Sequence, residues 1–313
     1  MSQATLSIKI TPLRESELAE ANRIMHLAFG TFLGLPNPDA FMGDRDMITP
    51  RFRAKNTRVF AARLEDRLIG LNIATRWGSF AFFGPLVVLP EFWDKGVAQQ
   101  LLKPTIRLFD RWGVRTSGLF TFSNSPKHVG LYQKFGFWPC YLTAIMTHTP
   151  QAAAPVDPHT LLSSRHRTER EQAILACARL TGRIEKGLDL TQETRSVLAQ
   201  GTGDVVLSYT RSTLEGFAIC LTGAGSEGGT KTCYIKFAAA RHGNAFDQLL
   251  AACDAFAATR GLPIEAGTNL AREDAFRRMR AHGYLPMTQG VAMLRPHIAG
   301  FNRPDCYIID DLR

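Results

Sequence analysis

The sequence predicts an α+β chain built from two similar units in tandem. Strand-like and helix-like segments alternate in both halves of the 313 residues, and a Pro- and Ala-rich stretch at 149–159 separates them. An offset of 148 residues places Gln248-Leu-Leu250 on Gln100-Leu-Leu102, so the halves repeat one order of elements. The length also fits two domains of about 100–200 residues. We therefore predict domains at 1–150 and 160–313, with 149–159 as the linker.

The first half begins with an alternating strand at Ser7–Thr11 and a helix that Ser16 can cap and that runs to about Phe29. The Gly- and Pro-rich stretch 30–50 predicts a loop. Two later strands form a hairpin that turns at Glu65-Asp66. The later elements predicted are the strands Arg58–Leu64, Leu68–Thr75, Phe80–Val88, Ser117–Phe122 and Trp138–Thr147 and the helices Gly96–Trp112 and Pro126–Phe135.

The second half shows the same alternation after the linker. Its predicted helices are Thr168–Thr181, Thr191–Gln200, Asn244–Arg260 and Arg272–His282, and its predicted strands are Asp204–Thr210, Gly216–Leu221, Thr232–Ala239, Pro263–Ala266, Val291–Leu294 and Tyr307–Asp310. The spacing of Thr168 and Glu171 is that of a capping box.

The composition is that of a globular protein. Hydrophobic residues make up 45% of the chain and charged residues 21%, which supplies a core and excludes intrinsic disorder. The apolar run Phe80–Pro90 is too short to span a bilayer, and the N-terminal residues lack the pattern of a secretory signal, so we expect a soluble cytoplasmic protein. The six cysteines form no C-x-x-C pair and have no His at ligand spacing, so we expect buried thiols and no metal site.

The net charge of +9 is uneven. Residues 1–150 carry 18 Lys/Arg against 11 Asp/Glu, whereas residues 151–313 carry 19 against 17. An anionic ligand in the first half suits this asymmetry. The absence of a basic run, and of aromatics interleaved with Arg and Lys, argues against nucleic acid as the partner.

The most informative segment is residues 84–102, an apolar strand followed by a Pro turn and a helix that opens at Gly96-Val97-Ala98. A helix N-terminus offers unpaired N–H groups and the positive end of its dipole, and small residues let a phosphate approach the backbone. Lys95 adds a positive charge. An ordinary strand–loop–helix turn explains this segment equally well when it is taken alone.

A second segment, Asn124–Trp138, follows a strand and ends a helix at Gly136. The two segments, Trp93–Ala98 and Leu131–Phe137, lie in an order that resembles the GNAT superfamily of acyl-CoA-dependent N-acyltransferases. The resemblance covers about residues 5–148. It implies that each half is a mixed, mostly antiparallel, twisted sheet flanked by helices, and that acetyl-CoA is the cosubstrate for acetylation of a primary amine by direct attack in a ternary complex.

The resemblance also implies a role for each matching residue. Tyr132 would be the general acid that protonates the leaving thiolate, and Val88 would donate its N–H to the thioester oxygen. Trp93 stands where the family usually has Arg or Gln, so a phosphate contact is lost that Lys95 or Lys127 could replace. The implied cofactor-binding residues are Leu86, Val87 and Val88 for the pantetheine, Trp93, Asp94, Lys95, Gly96, Val97 and Ala98 for the pyrophosphate, and Asn124 and Lys127.

The second half reads as a degenerate copy. The offset places Asn244 on Gly96 and Phe246 on Ala98, and Met279 takes the position of Tyr132. A phenyl group would crowd the phosphate turn, and a thioether cannot donate a proton. We expect residues 160–313 to be non-catalytic and to shape the acceptor site or support the fold.

Other interpretations stay open at this point. A non-catalytic acyl-CoA-binding or sensing protein is the alternative function, although binding alone needs no acid at position 132. His26 or His128 could deprotonate an acceptor ammonium, but packed or solvated histidines are more common. Asp44, Asp46 and Glu91 are candidate carboxylates on the acceptor side, with solvated loop charges as the simpler interpretation. The sequence identifies neither the acceptor, a small molecule or a peptide amine, nor the oligomeric state.

Overall fold

A computed structural model describes residues 7–151, 157 and 160–313. The elements of the first half, in chain order, are β1 (Ile8–Pro12), α1 (Leu18–Phe32), α2 (Thr49–Arg53), β2 (Thr57–Leu64), β3 (Arg67–Trp77), β4 (Phe80–Val88), α3 (Val97–Trp112), β5 (Thr116–Thr121), α4 (Pro126–Gln133) and β6 (Trp138–His148). Most of the expected linker, residues 152–156, 158 and 159, lies outside the described residues, so the domain boundary stays a prediction.

The second half repeats the alternation of strands and helices. Its elements are α5 (Arg167–Ile184), α6 (Thr191–Gln200), β7 (Gly203–Thr210), β8 (Thr213–Gly223), β9 (Gly229–Ala240), α7 (Gly243–Ala258), β10 (Ile264–Asn269), α8 (Glu273–Ala281), β11 (Leu285–Arg295) and β12 (Tyr307–Ile309). Among the described residues, no helix combines the length and the apolar character that a bilayer crossing requires.

Helix starts are where the sequence predictions need correction. Ser16 does not cap α1, because a 3-10 turn at Glu15–Glu17 precedes it and the Glu17 carboxylate accepts the N–H of Arg14 at 2.8 Å. Thr168 does not cap α5, which begins one residue earlier, after His166. The predicted loop 30–50 contains the last turn of α1 and the start of α2.

The strands of the described residues form one continuous sheet in the order β1-β2-β3-β4-β5-β11-β6-β10-β9-β8-β7, with β12 added beside β9. Of the strand pairs that the structure describes, only β4–β5 and β9–β10 are parallel. The sheet is therefore mixed and mostly antiparallel, as expected. The β2–β3 hairpin turns at Glu65-Asp66, whose positive φ values of 48° and 68° fit a tight two-residue turn.

The two halves exchange strands at the centre of the sheet. β6, from the first half, lies between β11 and β10 of the second half, with His148 opposite Ile264 and Thr143 opposite Asn269. β11, from the second half, pairs with β5 of the first, with Val291 opposite Thr121. Each half of the sheet is thus completed by a strand from the other half of the chain. Pairing with β6 extends β11 back to Leu285, whereas the sequence predicted a strand only at Val291–Leu294.

The cores of the two halves also merge. Trp77 and Phe82, on β3 and β4, are buried in one apolar cluster with Phe217 and Phe237 of β8 and β9. The rings of Trp77 and Phe237 meet edge to face with centroids 5.3 Å apart. Burial of such large aromatic surfaces stabilises the contact between the halves.

A chain of buried ion pairs lies beside this cluster. Arg51 makes a bidentate pair with Glu227 at 3.0 and 2.6 Å, and Lys236 bridges Glu227 and Glu193 at 2.6 and 2.7 Å. The indole N–H of Trp77 donates to Glu193 at 3.1 Å. Burial alone would raise the pKa of Glu227, but Arg51 and Lys236 outweigh it and lower this pKa to about 2. Each buried charge among these four side chains is therefore stabilised by the opposite charge next to it.

We expect Lys236→Met to lower the free energy of unfolding by about 3–5 kcal/mol, because it leaves Glu193 buried without its cation. Urea denaturation at neutral pH measures the loss. Arg23→Met is the control: Arg23 pairs with Glu20 on the surface, and its removal should cost under about 0.5 kcal/mol. Equal stabilities of the two variants would contradict the structural role of the chain of ion pairs.

Candidate active site

One backbone edge of β4 has no partner strand along Leu86–Val88 among the described residues. β4 pairs with β5 only from Phe80 to Phe82, and beyond this point the register continues only with β3, where Leu86 lies opposite Asn72 and Val88 opposite Gly70. Among the described strands, none covers the other edge of Leu86–Val88. Unpaired N–H and C=O groups along a strand edge can bind an extended amide-containing ligand.

The start of α3 lies at the end of this edge. Gly96 precedes the helix with φ at +75°, and a Cβ atom added there would meet no other atom within 4 Å. The backbone at this helix start is therefore accessible to an anion. The indole N–H of Trp93 donates to the Val88 carbonyl at 2.7 Å, so this side chain ties the turn to β4.

The helix α4 carries Tyr132 towards the same edge. Ser125 caps the helix by accepting the N–H of His128 at 3.4 Å. The Tyr132 ring is buried and packs on Phe83 with centroids 5.6 Å apart. Burial raises the pKa of this phenol far above its usual value, and a hydrogen bond with Thr121 opposes the rise only in part. Tyr132 is therefore a protonated hydrogen donor at neutral pH.

Two concave spaces meet at Tyr132. The first, which we call the β4 groove, has a volume of about 550 Å³ and runs along Leu86–Val88 to Gly96. The second, which we call the shared cavity, has a volume of about 800 Å³ and lies between the two halves of the chain. The residues that line both spaces are Phe29, Leu86, Phe122, His128 and Tyr132. The groove and the cavity are therefore adjacent and share these side chains as a common wall.

The second half supplies the far wall of the shared cavity. Glu265 on β10 makes a bidentate pair with Arg45 of the first half at 2.9 and 3.0 Å, and it also pairs with Arg313 at 2.9 Å. Burial would raise the pKa of Glu265, but the two guanidinium groups lower it to about 2. No local pattern could reveal this wall, because its residues are some 220 positions apart in sequence.

The structure brings together most of the residues that the sequence singled out. The predicted residues that line the groove are Leu86, Val87, Val88, Trp93, Asp94, Gly96, Val97, Ala98, Lys127 and Tyr132. Lys127 reaches across to Asp94 at 2.6 Å, beside the start of α3. Lys95 and Asn124 are not among the lining residues; the Lys95 ammonium lies 5.1 Å from the Phe92 ring centroid.

The other candidates have different surroundings. His26 bonds the Phe41 carbonyl and lines neither space, and Glu91 pairs with Arg67 on the surface at 2.7 Å. Asp46 accepts the N–H groups of Ile48 and Thr49 at 3.0 and 2.8 Å, at the start of α2. Asp44 lines the shared cavity and binds Thr230. The described residues contain no cluster of His, Cys, Asp and Glu suited to a metal ion.

The corresponding edge in the second half is covered. β12 pairs with β9 from Ala238 to Ala240, on the side where β10 diverges. The start of α7 is filled as well, since a Cβ at Gly243 would lie 2.3 Å from the Arg278 guanidinium. Phe246 and Met279 are fully buried.

A comparison with known protein families finds a match within the first half of the chain. Residues 22–137 match the model of the acetyltransferase (GNAT) family. Most of the first half of the chain is therefore similar to the GNAT family. A search of the curated proteins finds no match to the sequence.

The whole chain has the fold of tandem GNAT proteins. A proposed acetyltransferase from Pyrococcus horikoshii superposes with a TM-score of 0.70 at 15% identity, over 98% of this chain and 95% of that one. A GCN5-related N-acetyltransferase from Sphaerobacter thermophilus gives 0.58 at 12% identity, over 92% and 95%. A tandem GNAT protein from the clavulanic acid biosynthesis pathway gives 0.54 at 13% identity, over 92% and 98%.

We expect the buried phenol of Tyr132 to remain un-ionised at about pH 10, where an ordinary tyrosine is half ionised. The ultraviolet phenolate absorbance of the protein and of Tyr132→Phe, titrated in parallel, isolates this group. The two curves should coincide through pH 10 or so. An extra phenolate in the unmodified protein at that pH would contradict the burial of Tyr132.

Proposed function

We propose that the chain is an N-acetyltransferase that transfers an acetyl group from acetyl-CoA to a primary amine by direct attack in a ternary complex. The observation that supports it is the junction at Tyr132, where the groove along β4 meets the shared cavity. A donor in the groove and an acceptor in the cavity would place the thioester and the amine beside one protonated phenol.

The residues around the groove fit coenzyme A. The unpaired edge of Leu86–Val88 would pair with the amides of the pantetheine arm, as an added strand does. The N–H groups at the start of α3 would bind the pyrophosphate, which the accessible backbone at Gly96 permits. Lys127 pairs with Asp94 beside this turn and would supply the phosphate contact that an Arg or Gln at position 93 would otherwise make.

The backbone N–H of Val88 would stabilise the negative charge that develops on the thioester oxygen. The next residue, Leu89, donates its N–H to Ile69 on the β3 side at 2.9 Å. Successive residues of a strand direct their N–H and C=O groups to alternate sides, so those of Val88 are directed away from β3. The bond from Trp93 to the Val88 carbonyl agrees with this direction. A backbone donor in that position acts as an oxyanion hole.

The chemistry then needs two proton transfers. The amine attacks the thioester carbonyl carbon, and as the C–S bond breaks its electron pair passes to sulfur, which takes a proton from Tyr132. The phenol recovers a proton from the new amide nitrogen, directly or through water. No cysteine lies among the described residues that line the groove or the cavity, which supports direct attack over an acyl-enzyme.

One active site per chain follows from the difference between the halves. The open β4 edge and Gly96 belong to the first half, while β12 and Arg278 occupy the equivalent places in the second. The second half contributes to the acceptor side instead, because Thr230, Lys231 and Glu265 line the shared cavity. Its volume of about 800 Å³ suits a small molecule or the end of a peptide.

Titration calorimetry tests the donor site. We expect one acetyl-CoA bound per chain and no detectable binding to Gly96→Glu, because the new side chain would bring a carboxylate to the pyrophosphate position. Gly113→Glu is a matched control: Gly113 ends the same helix, also with positive φ and no atom within 4 Å of its Cβ, so it carries the same backbone strain. Unchanged affinity in Gly96→Glu would exclude this site.

Thiol release from acetyl-CoA, measured against a panel of primary amines, tests the reaction. We expect Tyr132→Phe to lower kcat by about 10²–10⁴-fold, the usual contribution of a general acid, and to leave acetyl-CoA affinity nearly unchanged. Tyr141→Phe, which alters an exposed tyrosine, should behave as the unmodified protein. Equal turnover in Tyr132→Phe would remove Tyr132 from the acid role, while no release with any amine would contradict the transferase function.

A further inference from the structure

His128 lies where the groove and the shared cavity join. It precedes Tyr132 by four residues on α4, so both side chains project from one face of the helix. Both line the groove and the cavity. The imidazole and the phenol are therefore the two titratable groups that a bound donor and a bound acceptor could contact together.

The imidazole is held in place by rings. Its centroid lies 4.8 Å from that of Phe32 and 6.4 Å from that of Phe122. Its Nδ1 atom is buried and accepts or donates no hydrogen bond within the described part of the chain. A buried polar atom without a partner costs free energy, so a hydrogen bond between this atom and a bound ligand would be favourable.

The carboxylates that line these spaces are all engaged by other groups. Glu265 is held by Arg45 and Arg313, as described above, and Asp44 accepts from both the N–H and the hydroxyl of Thr230 at 3.1 and 2.6 Å. Asp94 pairs with Lys127. Each of these carboxylates has a partner, whereas the buried Nδ1 atom of His128 has none among the described residues.

We propose that His128 is the general base that deprotonates the acceptor ammonium before attack. This assignment rests on the proposed acetyl transfer. The imidazole nitrogen takes one proton from R–NH₃⁺, which frees the nitrogen lone pair of R–NH₂ to form the bond to the thioester carbon. The imidazolium then releases that proton to solvent through the shared cavity. The acid step at Tyr132 is separate, so one net proton leaves per amide formed.

Burial lowers the pKa of His128, and the positive charge of Lys127 lowers it further. The imidazole is therefore neutral at pH 7 and can accept a proton; it loses this capacity only as the pH falls below its usual value of about 6.5. The charged or titratable groups that line the two spaces with it are Asp44, Arg45, Asp94, Lys127, Tyr132, Lys134, Lys231, Glu265 and Arg313.

The pH dependence of turnover in His128→Gln, with saturating acetyl-CoA, tests the assignment. We expect the unmodified protein to reach a plateau near neutral pH. The variant should be slower at pH 7 by about 10²-fold. Its rate should keep rising with pH as the free amine forms in solution. His26→Gln is the control, since His26 lines neither space and a glutamine can still donate to the Phe41 carbonyl; its profile should match that of the unmodified protein.

Chemical rescue separates a base from a merely structural residue. Added imidazole should restore turnover to His128→Ala, with a pH dependence that follows the ionisation of the added imidazole. An unaltered pH profile in His128→Gln, together with no rescue of His128→Ala, would overturn the base while leaving the transferase function intact. If the unmodified protein acetylates no amine, the proposed function itself fails.

Discussion

The two halves of the chain exchange β6 and β11, and this exchange fixes how the halves fit together. β6 lies between β11 and β10, and β11 lies between β5 and β6, so the central strands of the sheet cannot be assigned to either half alone. Backbone hydrogen bonds in this region join distant parts of the chain, and neither half can complete its sheet without the other. The halves are therefore fixed in one relative position, which the merged aromatic core and the buried ion pairs around Lys236 reinforce.

A fixed relative position makes a cavity between the halves possible. Arg45 of the first half and Glu265 of the second form an ion pair at its wall, and α1, β4 and β5 provide the opposite side. Catalytic groups on a rigid frame lose little entropy when a substrate binds, which favours reaction between two bound molecules. The second half thus takes part in the proposed chemistry by shaping the acceptor side, although its own strand edge is closed.

The two halves differ most at one equivalent place. In both, a parallel strand pair diverges and exposes a backbone edge, at β4–β5 and at β9–β10. β12 covers the second edge with regular hydrogen bonds from Tyr307 to Ile309, whereas none of the described strands covers the first. Where a neighbouring strand covers an edge, its N–H and C=O groups are already hydrogen-bonded and cannot bind an extended ligand. This difference supports the proposal of a single site in a duplicated architecture.

Local sequence patterns were enough to predict the duplicated α+β pattern, the hairpin at Glu65-Asp66, the helix Gly96–Trp112 and the GNAT resemblance of the first half. These features arise from local periodicity, turn residues and short motifs, which neighbouring residues fix. The strand exchange, the closure by β12, the wall at Glu265 and the position of His128 between two spaces were decided only by the tertiary structure. Each depends on contacts between residues far apart in the chain, and local patterns carry no information about which distant segments will pair.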